Sequence, residues 1–154
     1  MGLVAIVLSL VFVGLQIRQD QILARAELGA GTVESFNDLG LTASDPEFAI
    51  TFAKMLNEPK NLTDDEMIQI NSYLLGAKML FIRECYLVAR GVFADCTGFV
   101  NDNARRLFGS RYAKTWWRLN WAPHPYIPDW VNDLVVGLDD DATQQQLKEL
   151  RGNL

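Results

Sequence analysis

The chain has 154 residues, 49% of them hydrophobic and 21% charged, with a formal net charge of −5. That length holds one compact domain, and the apolar fraction excludes global disorder. The acidic balance argues against a general nucleic-acid binder.

The first charged side chain is Arg18. Residues 3–17, LVAIVLSLVFVGLQI, are apolar apart from Ser9, Gly14 and Gln16. As a helix they extend roughly 22 Å, against a hydrocarbon core of roughly 30 Å. Met1, Gly2 and a snorkelling Arg18 bring the segment to marginal spanning length. A short transmembrane helix over residues 1–18, with Leu3, Val7, Val11 and Leu15 in the span, is favoured over two alternatives. One is an apolar core helix. The other is a signal peptide, which would want a basic leader and a small-x-small cleavage site. Arg18 and Arg25 follow the span, so the positive-inside tendency places residues 19–154 in the cytoplasm. Asp20 and Glu27 partly offset them. Ala5 and Ser9 form a small-xxx-small pair suited to close helix contact in lipid.

No proline interrupts the chain between Ile17 and Gly40, and Ile22, Leu23, Ala26, Val33 and Phe36 keep helical spacing. One long helix should therefore leave the membrane and enter the domain. Gly29-Ala30-Gly31 should be a kink or a close-packing site, and Gly40 a C-cap. Asp45-Pro46 should start the second helix, with Asp45 as N-cap and Pro46 at the first turn. Glu58-Pro59 should end it. Thr63 with Glu66 is a capping box opening a third helix that runs to about Arg90. That helix carries two apolar stripes, Met67-Ile70-Leu74-Ala77-Phe81-Cys85-Val88 and Ile68-Leu75-Met79-Ile82-Tyr86. Apolar on two sides, it should be the central helix of an all-α bundle of about five or six helices. Gly91 breaks it. A weaker helix over about 92–108, short helices over 111–120 and 129–138, an aromatic, proline-bearing loop over 121–128 and a last helix over 142–151 complete the chain.

Motifs for chemistry are sparse. His124 is the one histidine, so zinc sites, Glu-x-x-His di-iron sites and Cys–His catalysis lack parts. Asp139-Asp140-Asp141 lacks the EF-hand alternation and reads as a solvated helix start. Phosphate and nucleophile-elbow motifs do not occur. Glu84, with Arg83 and Arg90, reads as a surface charge cluster. Cys85 and Cys96 read as small buried hydrophobes, with a disulfide the lesser alternative because the expected topology disfavours it. The expectation is no enzyme, no catalytic or metal-ligating residue and no cofactor.

Charge distribution is more informative. Residues 104–121 carry Arg105, Arg106, Arg111, Lys114 and Arg118 and no acid. All four tryptophans, Trp116, Trp117, Trp121 and Trp130, lie in or just after that stretch. Arg111, Lys114 and Arg118 share a helical face. One reading is aromatic core behind a basic face that neutralises acidic helices. A second is contact with a partner or the membrane surface through these residues, and a third, single-stranded nucleic acid, is disfavoured by the acidic remainder.

LSLVFVGLQIRQ at 8–19, SDPEFA at 44–49, LTDDE at 62–66, Arg83-Glu84, the Gly91 break and Trp117 before a proline-bearing loop together resemble a broad group of uncharacterised bacterial single-pass membrane proteins. That group has an N-terminal apolar helix running into an IRQ-type turn and an all-α domain. The resemblance implies an inner-membrane protein and transfers no site residue. The expected function is a non-enzymatic accessory or structural subunit of a larger bacterial membrane complex, photosynthetic or respiratory. Its partners would be other membrane subunits and the lipid bilayer, not nucleic acid. The alternative is a membrane-tethered binding or regulatory module acting through the Trp-rich basic face.

Overall fold

A computed structural model describes residues 2–153, with side chains placed from residue 6 on. The side chain of Leu3 lies outside the described residues. The described residues fold as seven α-helices: α1 (Gly2–Ser44), α2 (Pro46–Asn57), α3 (Asp64–Ala89), α4 (Thr97–Phe108), α5 (Arg111–Asn120), α6 (Asp129–Gly137) and α7 (Ala142–Gly152). A single 3-10 turn at Pro59–Asn61 links α2 to α3. Among the described residues there is no strand.

α1 is continuous for 43 residues. The IRQ segment is helix, not a turn, and Gly40 does not cap. Gly91 is the one described glycine at positive φ, so Gly40 stays in right-handed helix. Pro46 ends α1 instead, by forcing Asp45 into an extended conformation. Asp45 then caps α2, its Oδ1 accepting from the Glu47 and Phe48 amides at 3.0 Å each. Gly29 and Gly31 make close contacts rather than a kink. A Cβ at Gly29 would sit 3.5 Å from the Phe93 ring, and one at Gly31 would meet the Arg83 guanidinium at 2.5 Å.

Every described α1 side chain from residue 6 to residue 28 is exposed. From Gly29 on, α1 packs on α3 and α2. The chain therefore has a projecting apolar helix, long and apolar enough to cross a membrane, and a helical body that begins where α1 meets Phe93.

The capping box of α3 forms as expected: the Glu66 amide donates to Thr63 Oγ1 at 3.3 Å and the Thr63 amide to Glu66 Oε2 at 2.7 Å. At the far end the Gly91 amide donates to the Val88 carbonyl and the Val92 amide to the Leu87 carbonyl, both at 2.9 Å. This is a Schellman motif, which needs the left-handed φ of +69° that glycine supplies. The chain reverses there, and α4 starts later than expected, at Thr97. The reversal returns Cys96 to Cys85 with Cα atoms 5.3 Å apart, and the two form a disulfide. This corrects the reading of both as plain buried hydrophobes. The helix expected over 92–108 hid the short loop that makes the bond possible.

The core centres on Phe81, Phe108 and Trp117, each at most 1% exposed. Phe108 and Trp117 meet edge to face at 4.8 Å between centroids, and Phe81 meets Phe108 at 5.5 Å. The first α3 stripe is buried from Ile70 to Cys85. Most of the second is not: Ile68 is 63% exposed, and Leu75 and Met79 are 52% exposed. α3 is thus buried on one side only, which corrects its reading as a helix covered on two.

Candidate partner-binding face

The basic, Trp-bearing stretch is mostly internal. Trp117 is buried and its Nε1 donates to Asn132 Oδ1 at 3.2 Å. Trp116 is buried against Phe108. Trp121, half-buried, stacks on Trp117 with centroids 5.3 Å apart. Lys78 covers both rings at 5.8–5.9 Å. Trp130 is half-buried against the core.

Basic residues in this stretch also have internal tasks. Lys114 is buried, and its ammonium donates to the Leu138 carbonyl and to Asp140 Oδ1, the latter at 2.8 Å. The Lys114 ammonium holds the Asp140 carboxyl below its ordinary range. Asp140 is therefore a partner and not simply part of a solvated helix start. Arg105 reaches the Ala142 carbonyl and both Glu149 oxygens. Arg106 lies over the Phe36 ring at 5.4 Å. Arg111 and Arg118 remain exposed. Of the candidate contact residues, then, Trp116, Trp117 and Lys114 are taken up by the fold, and Trp121 and Trp130 largely so.

Glu84 is also repositioned. It is 6% exposed, and Thr32 of α1, 4% exposed, lies beside it with its hydroxyl donating to the Leu28 carbonyl at 3.4 Å. Arg83 donates instead to Ser35 Oγ at 2.9 Å, and Arg90 lies over the Tyr86 ring at 5.2 Å. The three do not form a surface cluster.

What the fold leaves open is the outer side of α3. Ile68, Leu75 and Met79, with Ser72 between them, recur at steps of four, three and four residues, so they line up along one helix face. From Ile68 to Met79 the row rises roughly 16 Å. A groove of about 440 Å³ runs between this ridge and α5, lined by Leu75, Tyr112, Thr115, Trp116 and Leu119. Leu119 is 80% exposed. A second groove, about 500 Å³, lies between the ridge and α1, where Gly76 sits 3.5 Å below Leu39 if a Cβ is built on it. A ridge of large apolar side chains with a trough on either side is the surface an incoming helix packs on. The sequence carried the signal, as the second stripe of α3, but could not say that no described residue covers it. No cluster of three or more His, Cys, Asp or Glu side chains able to hold a metal occurs among the described residues.

Comparison with protein-family models, curated proteins and solved structures finds no match.

Proposed function

We propose that this is a single-pass protein of the bacterial inner membrane and a non-enzymatic accessory subunit of a larger membrane assembly. α1 anchors it, and the helical body docks on a partner helix through the outer face of α3. The exposed Ile68-Leu75-Met79 ridge between two grooves carries this reading. Large apolar side chains aligned along one helix, outside the core and beside a membrane anchor, fit a protein interface better than solvent. Energy-transducing assemblies, photosynthetic or respiratory, are the proposed hosts, because small membrane subunits of this kind occur in them. The Trp-rich face loses ground as a binding module, because its tryptophans pack inward.

Orientation rests on two opposed features. Arg18 and Arg25 favour a cytoplasmic body. The Cys85–Cys96 bond favours an oxidising compartment, because cytosolic thiol pools keep such pairs reduced. We give the covalent bond more weight than two arginines that Asp20 and Glu27 partly offset, and place the body on the oxidising side of the membrane.

Purification through a C-terminal tag from detergent-solubilised source membranes tests the subunit reading. The wild-type chain should bring down a partner at fixed stoichiometry. A Leu75→Glu, Met79→Glu double variant should stay folded, since both side chains are exposed, and should lose it. A wild-type chain that migrates alone sinks the proposal. Acid-quenched cells test the orientation: Cys85 and Cys96 should resist alkylation until reduced. Free thiols at both positions would return the body to the cytoplasm.

A further inference from the structure

α1 and α3 run antiparallel, with Gly76 beside Leu39 and Arg83 beside Gly31. The same register carried seven residues past Arg83 sets Arg90 level with Arg25. Arg90 is exposed, and its guanidinium lies 5.2 Å from the Tyr86 ring. Tyr86 meets Tyr126 edge to face at 4.7 Å, which brings the proline-bearing loop to the same end of the body. Phe93 lies against α1 at Gly29. The end of the body nearest the apolar segment thus presents two arginines, two tyrosines and a phenylalanine. Asp95 is the acid of the turn between α3 and α4. Its Oδ1 is engaged by the Thr97 amide at 2.8 Å and the Thr97 hydroxyl at 2.5 Å, so it does not neutralise Arg90 directly.

Distance along α1 sets where this end sits. Arg25 is eight residues past Ile17, or roughly 12 Å. Arg18, the first charged side chain, marks the core edge on the body's side, at or a little beyond Ile17. The headgroup layer adds roughly 5–8 Å on each side. Arg25 and Arg90 therefore lie at its outer boundary, within side-chain reach of lipid phosphates. Tyr86, one turn before Arg90 on α3, and Phe93, at Gly29, lie on the body's side of that boundary.

On the reading of α1 as a membrane anchor, we infer that this end of the body rests on the bilayer surface, with Arg25 and Arg90 meeting the phosphates of anionic lipids. The contact gives the body a second point of attachment, because it then touches the membrane through the Arg90 end as well as through α1. It also sets the height at which the α3 ridge is presented.

The full chain is reconstituted in nanodiscs of phosphatidylcholine alone and of phosphatidylcholine with phosphatidylglycerol, and amide exchange is followed over residues 86–95 and 122–127. Exchange should be slower in the anionic discs, by roughly five-fold for each arginine engaged, the equivalent of about 1 kcal/mol. Residues 111–120 on α5 should be unchanged between the two. Arg90→Glu and Arg25→Glu, both at exposed positions, should each remove most of the difference. A chain that does not incorporate into either disc overturns the anchor reading. A chain that incorporates but exchanges equally in both discs, or is unaffected by Arg90→Glu, overturns the lipid contact alone.

Discussion

Glu84 sits where α3 meets α1, and burial there pushes its carboxyl above the ordinary value of 4.5, against smaller opposing effects of the Thr32 hydroxyl and the Arg83 charge. A carboxyl with a raised folded-state pKa favours the fold while protonated. Its contribution is complete below pH 4.5 and is lost as pH rises through the raised value. Glu84→Gln keeps a side chain that can bond Thr32 and removes the charge. The variant should match wild type in thermal stability at pH 4 and exceed it increasingly as pH rises toward neutral. Parallel curves for the two proteins would show that the site solvates the carboxylate after all. Gly109 makes the opposite point about size. A Cβ there would collide with the Arg105 carbonyl and come within 2.9 Å of Ala142 and the Thr143 amide. The Gly109 carbonyl itself accepts from that amide at 2.9 Å. This glycine lets α4 and α7 touch backbone to backbone, and the sequence showed it only as a break.

At the scale of helices, the local signals were legible because they act over three or four residues. Asp45-Pro46 and Thr63…Glu66 state their geometry in their own chemistry, and both form as read. Thr63→Ala should cost about 1 kcal/mol in urea unfolding, the usual worth of a side-chain N-cap. Glu66 keeps Lys54, 2.6 Å away, so helix α3 should shorten by less than a turn rather than melt. A loss near zero would mean that the Lys54 bond alone holds this end. What could not be read was anything depending on which helix lies beside which. The second α3 stripe looked like core because large apolar residues suggest burial, yet an exposed leucine is no violation of folding. The Cys85–Cys96 bond was missed for a related reason: it depends on a tight reversal at Gly91, and hydrophobic periodicity does not report reversals. The same bond makes a prediction for its element pair. Closing a loop with a sequence separation of 11 restricts the unfolded chain, and removing it by Cys85→Ala with Cys96→Ala should cost about 2–3 kcal/mol. If the melting temperature of the double variant equals that of wild type, the bond does not form in the protein as isolated.

At the scale of the whole molecule, the chain divides by burial rather than by sequence break. α1 is unbroken through Ser44, yet its described side chains up to residue 28 are exposed, while Thr32 is 4% exposed and Leu39 packs against the core. The expected boundary at residue 18 follows charge; the packing boundary lies about ten residues later, at Gly29. A chain lacking residues 1–27 keeps the Leu28 carbonyl that Arg83 reaches at 3.5 Å, the Ser35 bond and the Phe36–Phe99 contact. It should therefore retain its helical circular dichroism, and its unfolding free energy should stay within about 0.5 kcal/mol of the full chain's, the range expected when only exposed positions are changed. In fractionated cells it should move from the membrane pellet to the supernatant. Retention in the pellet would show that the body holds the membrane, or a membrane subunit, without its anchor. Unfolding of the truncated chain would mean that the projecting turns up to residue 27 support the body, and that the apolar helix is part of the fold rather than an attachment to it.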